Sequence, residues 1–355
     1  MKQRIQALRR AMRDMELDGA LITSGVNIRY ASGFTSSDGA VLATQDGLWL
    51  FTDFRYTIQA REQLFEGYTL VETTASDMYG AIGETLKKAG VKTLGFERAA
   101  MTLVQYDKLA PLAEKLVSFS EALGRLRQIK SAEEIASLQK AQAIADRAFE
   151  DLLKRVRPGM TERETAAELL YVCSRLGSEG PSFEPIVGSG PNGAMCHAVP
   201  SERKLRSGDL VVLDFGCMAE GYCSDMTRTF GIGRIDAELL RVYEIVREAQ
   251  RLALDGLRAG LSCRALDALA RDHIAAKGYG AAFGHSLGHG FGLEIHEPPT
   301  ASMRSDEVFR PGMTITIEPG IYLEGRGGVR IEDCCVVTEE GCVNFARSTK
   351  DLIIL

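Results

Sequence analysis

The chain has five histidines, at positions 197, 273, 285, 289 and 296, and three of them fall within twelve residues. The segment reads Gly284-His285-Ser286-Leu287-Gly288-His289-Gly290-Phe291-Gly292-Leu293-Glu294-Ile295-His296-Glu297. Imidazole is the commonest metal-binding side chain, and the glycines flanking His289 let its backbone approach a neighbour closely. The spacing is not H-E-x-x-H, so a zinc site carried on one helix is not indicated.

Four acids stand at the ends of apolar, strand-like runs. Asp214 closes Leu210-Val211-Val212-Leu213, and Asp225 precedes Met226-Thr227-Arg228-Thr229-Phe230. Glu318 closes Met313-Thr314-Ile315-Thr316-Ile317, and Glu332 follows Val329-Arg330-Ile331. A carboxylate beside such buried strands is costly to desolvate unless it is paired or bound to a cation. Any one of them alone reads equally well as a solvated strand end; the set of four calls for positive charge. Two divalent ions bring +4 against −4, whereas Arg330 alone offsets one acid. A two-metal centre can hold a hydroxide between its ions at neutral pH and polarise a carbonyl oxygen, which is hydrolysis without a protein nucleophile. Oxygen ligands with one nitrogen suit manganese, iron(II), cobalt or zinc and discourage copper. No serine-nucleophile elbow, P-loop or dinucleotide fingerprint competes with this reading.

The elements that must position these residues are legible as periodic patterns. Leu8, Met12 and Met15 fall at helical spacing, and short strands are expected at 20–22, 40–43, 48–52 and 93–96, with a helix near Met78 to Lys88. That alternation predicts an α/β domain. Ser131 and Glu134 form a capping box that opens a helix expected to run to about Pro158-Gly159, and Thr161 with Glu164 opens the next. Strands around 210–213, 226–230, 313–317 and 329–331, and a helix from about Ala237 to Leu257, give the remainder an α+β order. The boundary is placed shortly before Ser131, giving domains 1–125 and 126–355.

A length of 355 residues is about twice one domain, and 45% hydrophobic with 25% charged residues is ordinary globular composition. A net charge of −6 provides no basic footprint for nucleic acid. The start, Met1-Lys2-Gln3-Arg4, opens no apolar signal core, and no run is long enough to span a bilayer, so a cytoplasmic location without membrane attachment is expected. The eight cysteines show no C-x-x-C spacing and read as reduced, mostly buried small hydrophobes.

At the residues quoted above the sequence resembles the pita-bread metallopeptidases, the family of methionine aminopeptidase, aminopeptidase P, prolidase and creatinase. The stretches carrying the resemblance are Asp214-Phe215-Gly216, Ser224-Asp225-Met226-Thr227-Arg228-Thr229, Gly288 to Glu297, Thr316-Ile317-Glu318-Pro319-Gly320-Ile321-Tyr322 and Gly328-Val329-Arg330-Ile331-Glu332-Asp333. The resemblance implies that Asp214, Asp225, His289, Glu318 and Glu332 ligate two divalent ions, manganese first among the candidates, with Asp225 and Glu332 bridging. It implies that Glu318 also takes the proton of the attacking water, and that His197 and His296 steady the scissile amide and the developing oxyanion. His285, Tyr322 and Arg330 match positions on the substrate side of the proline-specific branch.

An α/β domain ahead of the catalytic one points to that branch, whose members have a creatinase-like N-terminal domain and are commonly homodimers. The implied substrates are di- or oligopeptides with proline second. Thr300 stands where some prolidases carry an arginine for the substrate carboxylate, which favours an Xaa-Pro aminopeptidase over a strict Xaa-Pro dipeptidase, although Arg330 could supply the charge. Cys196 stands before His197 where proline is frequent. Two remoter readings, a creatinase-type hydrolase without metals and an inactive binding module, fit less well because all five ligand positions are intact.

Overall fold

The computed structural model describes residues 2–74 and 76–355, which divide into two compact units, Met1–Arg127 and Gln128–Leu355. The first unit runs α1 (Lys2–Asp14), β1 (Gly19–Ile22), α2 (Gly25–Ser32), β2 (Gly39–Thr44), β3 (Leu48–Asp53), α3 (Thr57–Gln63), β4 (Thr69–Thr73), α4 (Met78–Lys88), β5 (Thr93–Phe96), α5 (Leu103–Leu109), β6 (Lys115–Ser118) and α6 (Ser120–Gln128). Its sheet has the order β4-β3-β2-β1-β5-β6. Side chains alternate across it: Ala20, Ile22, Val41 and Leu50 pack with Leu8, Met12 and Phe119 on one face, and Leu21, Leu42 and Phe51 pack with Ile82 and Leu86 on the other.

The second unit begins with α7 (Ala132–Leu153) and α8 (Glu162–Arg175), followed by β7 (Ile186–Ser189), β8 (Leu210–Phe215), β9 (Met218–Ala219), β10 (Tyr222–Cys223) and β11 (Met226–Gly231). Then come α9 (Ala237–Gly256), α10 (Cys263–Ala276), β12 (Gly288–Gly290), β13 (Glu297–Ala301), β14 (Thr314–Ile317), β15 (Gly320–Leu323), β16 (Gly327–Arg330), β17 (Asp333–Val337) and β18 (Cys342–Asn344). Helices α7 and α8 cover the sheet β11-β8-β7 through Ala145, Phe149, Leu169, Leu213 and Phe230. Helices α9 and α10 cover β14-β17-β18 through Val242, Val246, Leu266, Ile315, Ile317 and Cys335. Both expected capping boxes are formed, with Ser131 Oγ accepting from Glu134 N at 3.3 Å and Thr161 Oγ1 from Glu164 N at 3.0 Å.

Several elements differ from the sequence expectation. Helix α7 stops at Leu153, well short of Pro158, and the residue before a proline is itself driven out of helical geometry. Asp214 lies within β8 instead of ending it, and the strand at 329–331 stops at Arg330, leaving Glu332 to lead into β17. Helix α10 was not anticipated, although its buried Leu266, Ala270 and Ile274 recur every four residues. All eight cysteines are free thiols, and no helix among the described residues is long and apolar enough to cross a membrane.

Candidate metal centre

Strand pairing in the second unit brings the separated acids together. In the antiparallel pair β8–β11 Asp214 lies opposite Thr227, which places Asp225 one residue outside the ladder at the same end. In β14–β17 Ile317 lies opposite Asp333, so Glu318 and Glu332 leave that ladder side by side. His289 sits in β12 opposite Thr300 of β13. A Cβ at residue 288 would stand 1.9 Å from Thr316 O, and one at residue 290 would stand 2.4 Å from Pro298 O. The glycines flanking His289 therefore serve close approach to neighbouring backbone, and His289 N donates to Thr316 Oγ1 at 3.0 Å.

Ligand atoms of Asp225, His289 and Glu332 lie within 4.8 Å of one another. His289 Nε2 is 3.6 Å from Asp225 Oδ2 and 3.4 Å from Glu318 Oε1. His289 Nδ1 is 3.1 Å from the carbonyl of Gly290, which can only accept, so Nδ1 carries the proton of the neutral ring. Burial pushes the His289 pKa down, which favours that neutral form. The Nε2 lone pair thus faces two carboxyl groups, an arrangement that is repulsive unless a metal cation or a proton lies between them.

The carboxylates carry the same imbalance. Burial, then the charges of Glu332, Asp214 and Glu318, push Asp225 well above the carboxylate range. Burial, then Glu318 and Asp214, does the same to Glu332. Glu318 is pushed up to about 8, by burial first. Asp214 Oδ2 meets Arg330 Nη2, yet its Oδ1 is buried without a partner. An orphaned carboxylate oxygen, an outward imidazole lone pair and three crowded acids fit divalent cations. Thr227 Oγ1 donates to Glu332 Oε2 at 2.7 Å and accepts from Arg330 Nε at 3.0 Å, orienting the acid from behind.

These groups form the floor of a cavity of about 880 Å³, with His197, His285, His289, His296 and Arg330 in its lining. Its wall is apolar, including Leu170, Phe183, Ile186, Val199 and Ile295. His197 and His296 are exposed to it, and the rings of His296 and His289 meet edge-on at 4.4 Å. Tyr322 is not among the lining residues. Its hydroxyl accepts from Arg330 Nη1 at 2.8 Å and stands 2.9 Å from His285 Nε2, while His285 Nδ1 stands 2.8 Å from Ser286 O. The tautomer follows: Nδ1 of His285 donates to the carbonyl and Nε2 accepts from Tyr322. Burial holds the His285 pKa down to about 4. His285, Tyr322 and Arg330 are thus bonded to one another.

Sequence reasoning assigned no role to Arg228, although it lies within a quoted motif. It is buried, and donates to Glu332 O at 2.6 Å and Asp333 Oδ1 at 2.8 Å, bracing the strand junction that carries Glu332.

A cation-demanding ligand set opening into a cavity large enough for a peptide defines a metal-dependent hydrolase. Residues 136–339 match the model of metallopeptidase family M24, and residues 4–129 match the creatinase/prolidase N-terminal domain. The chain belongs to the M24 metallopeptidases, and is a divalent-metal exopeptidase with a creatinase-type α/β domain preceding an α+β pita-bread domain. It is 36% identical to an Xaa-Pro dipeptidase of Pyrococcus furiosus over 99% of this chain and 100% of that one. Its fold is similar to a solved Xaa-Pro dipeptidase from Bacillus anthracis, with 43% identity, a TM-score of 0.96 and coverage of 100% and 99% of the two chains. It is also similar to an X-Pro aminopeptidase from Thermotoga maritima MSB8, with 36% identity, a TM-score of 0.92 and coverage of 98% and 100%.

Proposed function

We propose that the protein removes the first residue from peptides that have proline second, using two divalent ions held by Asp214, Asp225, His289, Glu318 and Glu332, and that it accepts peptides longer than the dipeptide. Manganese is the ion we favour, with iron(II), cobalt and zinc compatible with the same donors. The ions supply an activated water at neutral pH and an electrophile for the substrate carbonyl. Glu318 takes the proton of the attacking water. His197 and His296, both exposed in the cavity, donate to the scissile amide oxygen as charge develops on it. A prolyl bond is a tertiary amide with no N–H to offer, and an apolar wall suits the pyrrolidine ring. We further propose a cytoplasmic homodimer.

The observation that carries the length preference is the engagement of Arg330. Its donors go to Asp214, Thr227, Tyr322 and the Cys196 carbonyl, so it offers no open fork to a free carboxylate next to the proline. Together with Thr300 in place of an arginine, this favours aminopeptidase P activity. A strict dipeptidase is the second reading, favoured by the names of the Pyrococcus and Bacillus anthracis relatives. Comparing kcat/KM of the metal-loaded enzyme on Xaa-Pro, Xaa-Pro-Xaa and Xaa-Ala-Xaa peptides decides between them. Hydrolysis of the tripeptide at least as fast as the dipeptide is expected. Cleavage of the dipeptide alone reverses the order, and equal cleavage of the alanine peptide defeats both.

A further inference from the structure

Helix α8 begins with a carboxylate that the chemistry above does not use. The Glu162 side chain is buried, and its oxygens are saturated by donors from one stretch of chain. Oε1 accepts from Ser189 N at 2.8 Å, Ser189 Oγ at 2.6 Å and Asn192 Nδ2 at 3.1 Å. Oε2 accepts from Asn192 Nδ2 at 3.0 Å, Ser201 N at 3.1 Å and Ser201 Oγ at 2.6 Å. The main chain adds Glu162 N to Arg203 O at 3.0 Å and Arg163 N to Ser201 O at 3.1 Å. Burial opposes ionisation of Glu162, but the bonds from Ser189 and Ser201 outweigh it and hold its pKa below the usual range. The charge also stands in the first turn of α8, where the unpaired amides of a helix favour an anion.

The donors come from the two ends of segment 189–201, and His197 lies inside it. Among the described residues no hydrogen bond is made by the His197 ring, which is exposed in the cavity. Its position is therefore set by the backbone that carries it. Within the segment, Met195 N bonds Asn192 O at 3.0 Å and Ala198 N bonds Met195 O at 3.1 Å, and from the metal side Arg330 Nη1 bonds Cys196 O at 3.1 Å. The segment is thus a chain of short turns closed at both ends on one carboxylate.

We infer that Glu162 is a positioning residue for the reaction: by tying Ser189, Asn192 and Ser201 to one buried charge it fixes where His197 stands above the metal ligands. The inference rests on the reading of His197 as a substrate-facing donor. Glu162 itself touches neither substrate nor metal. Replacing it with glutamine keeps the size but turns an amide NH₂ toward groups that are mostly donors, so one end of the segment must let go.

The test is a double-mutant cycle with Glu162→Gln and His197→Ala on metal-loaded enzyme, with kcat, KM and bound metal measured for each. Loss of placement of a catalytic donor predicts that Glu162→Gln lowers kcat about a hundredfold while bound metal stays at the wild-type level. In the His197→Ala background the same change should cost nothing further. Independent, multiplying losses, or loss of metal in step with activity, overturn the inference. If His197→Ala alone leaves kcat intact, the substrate role of His197 fails. Amide exchange across 190–201 then judges Glu162 alone, since unchanged protection in Glu162→Gln refutes the tie. Should Glu162→Gln not fold, Ser201→Ala removes one hydroxyl arm and should show the same dependence on His197 with a smaller loss.

Discussion

Arg330 Nη2 and Asp214 Oδ2 stand 2.5 Å apart with both side chains largely withdrawn from water, and this pair sets the charge state of the whole floor of the cavity. It offsets one of four acids and leaves the crowding of Asp225, Glu318 and Glu332 uncompensated. It also decides what Arg330 cannot do, because a guanidinium locked to Asp214, Thr227, Tyr322 and the Cys196 carbonyl is not free to hold a substrate carboxylate.

Removing that cation should therefore be expensive in the metal-free protein. Arg330→Met keeps the stem but strands Asp214, and loss of one partner of a buried pair costs about 3–5 kcal/mol. Arg330→Lys should recover only part of this, since an ammonium cannot reproduce the four directed contacts. Urea denaturation of the chelated variants measures both. A methionine variant within about 0.5 kcal/mol of wild type, the usual range for surface changes, would show that Asp214 does not depend on Arg330.

Stability of the metal-free protein should fall as pH rises from about 5 to 8. Asp225, Glu318 and Glu332 are all raised by burial and crowding, Glu318 to about 8. Their unfolded values are near the ordinary carboxylate pKa of about 4. Between those limits the folded chain binds more protons than the unfolded one, so the free energy of unfolding decreases with pH. The contribution is fully present below the unfolded pKa and lost as pH rises through the folded one. Added divalent ion should flatten the slope by replacing protons, and Glu332→Gln should reduce it without metal. Thermal melts in chelator across this range test the sign; a Tm that climbs toward pH 8 contradicts it.

The four acids drew notice in the sequence because each adjoins a strongly apolar run, where an uncompensated carboxylate is costly, and His289 because it lies between glycines in a tight histidine cluster; strand pairing then sets them near one another. Both capping boxes and helix α4 were legible for a similar reason, since their signals are local. What lay outside reach was long-range. Glu162 sits between the two residues of a capping box and reads as an ordinary first-turn acid, and only the fold brings Ser189 and Ser201 to it. Tyr322 reads as substrate-facing from its place in a motif, whereas the folded chain turns its hydroxyl onto His285 and Arg330.

His296→Ala should lower turnover far more than metal content. The ring is exposed in the cavity and touches His289 edge-on at 4.4 Å, so its removal leaves the ligand atoms in place. Loss of one preorganised donor to a developing oxyanion costs about 10²–10³ in kcat. Parallel measurement of kcat and bound metal by atomic emission separates the two roles. Metal lost in proportion to activity would make His296 a ligand.

The last prediction concerns the residue that follows His296. Glu297 Oε2 meets Lys130 Nζ at 3.0 Å with both side chains 2% exposed, and Glu297 Oε1 accepts from Glu294 N at 3.1 Å. A Cβ at residue 292 would lie 2.8 Å from Glu297 Oε2, so Gly292 leaves room for the carboxylate inside the turn that joins β12 to β13. The carboxylate therefore holds the turn from within, and Lys130 neutralises it. Lys130→Met removes one partner of a buried pair and should destabilise the protein by about 3–5 kcal/mol, whereas Lys130→Met with Glu297→Gln should regain most of that, because a buried pair contributes little net stability against neutral groups of similar size. Activity should not recover in parallel: a neutral amide can still accept from Glu294 N but no longer draws a cation against the turn, so His296 is left less firmly placed. Denaturation curves and kcat for the two variants form the comparison. A single variant as stable as wild type would mean that the pair does not stabilise the domain, and a double variant that regains activity as fully as stability would mean that it does not place His296.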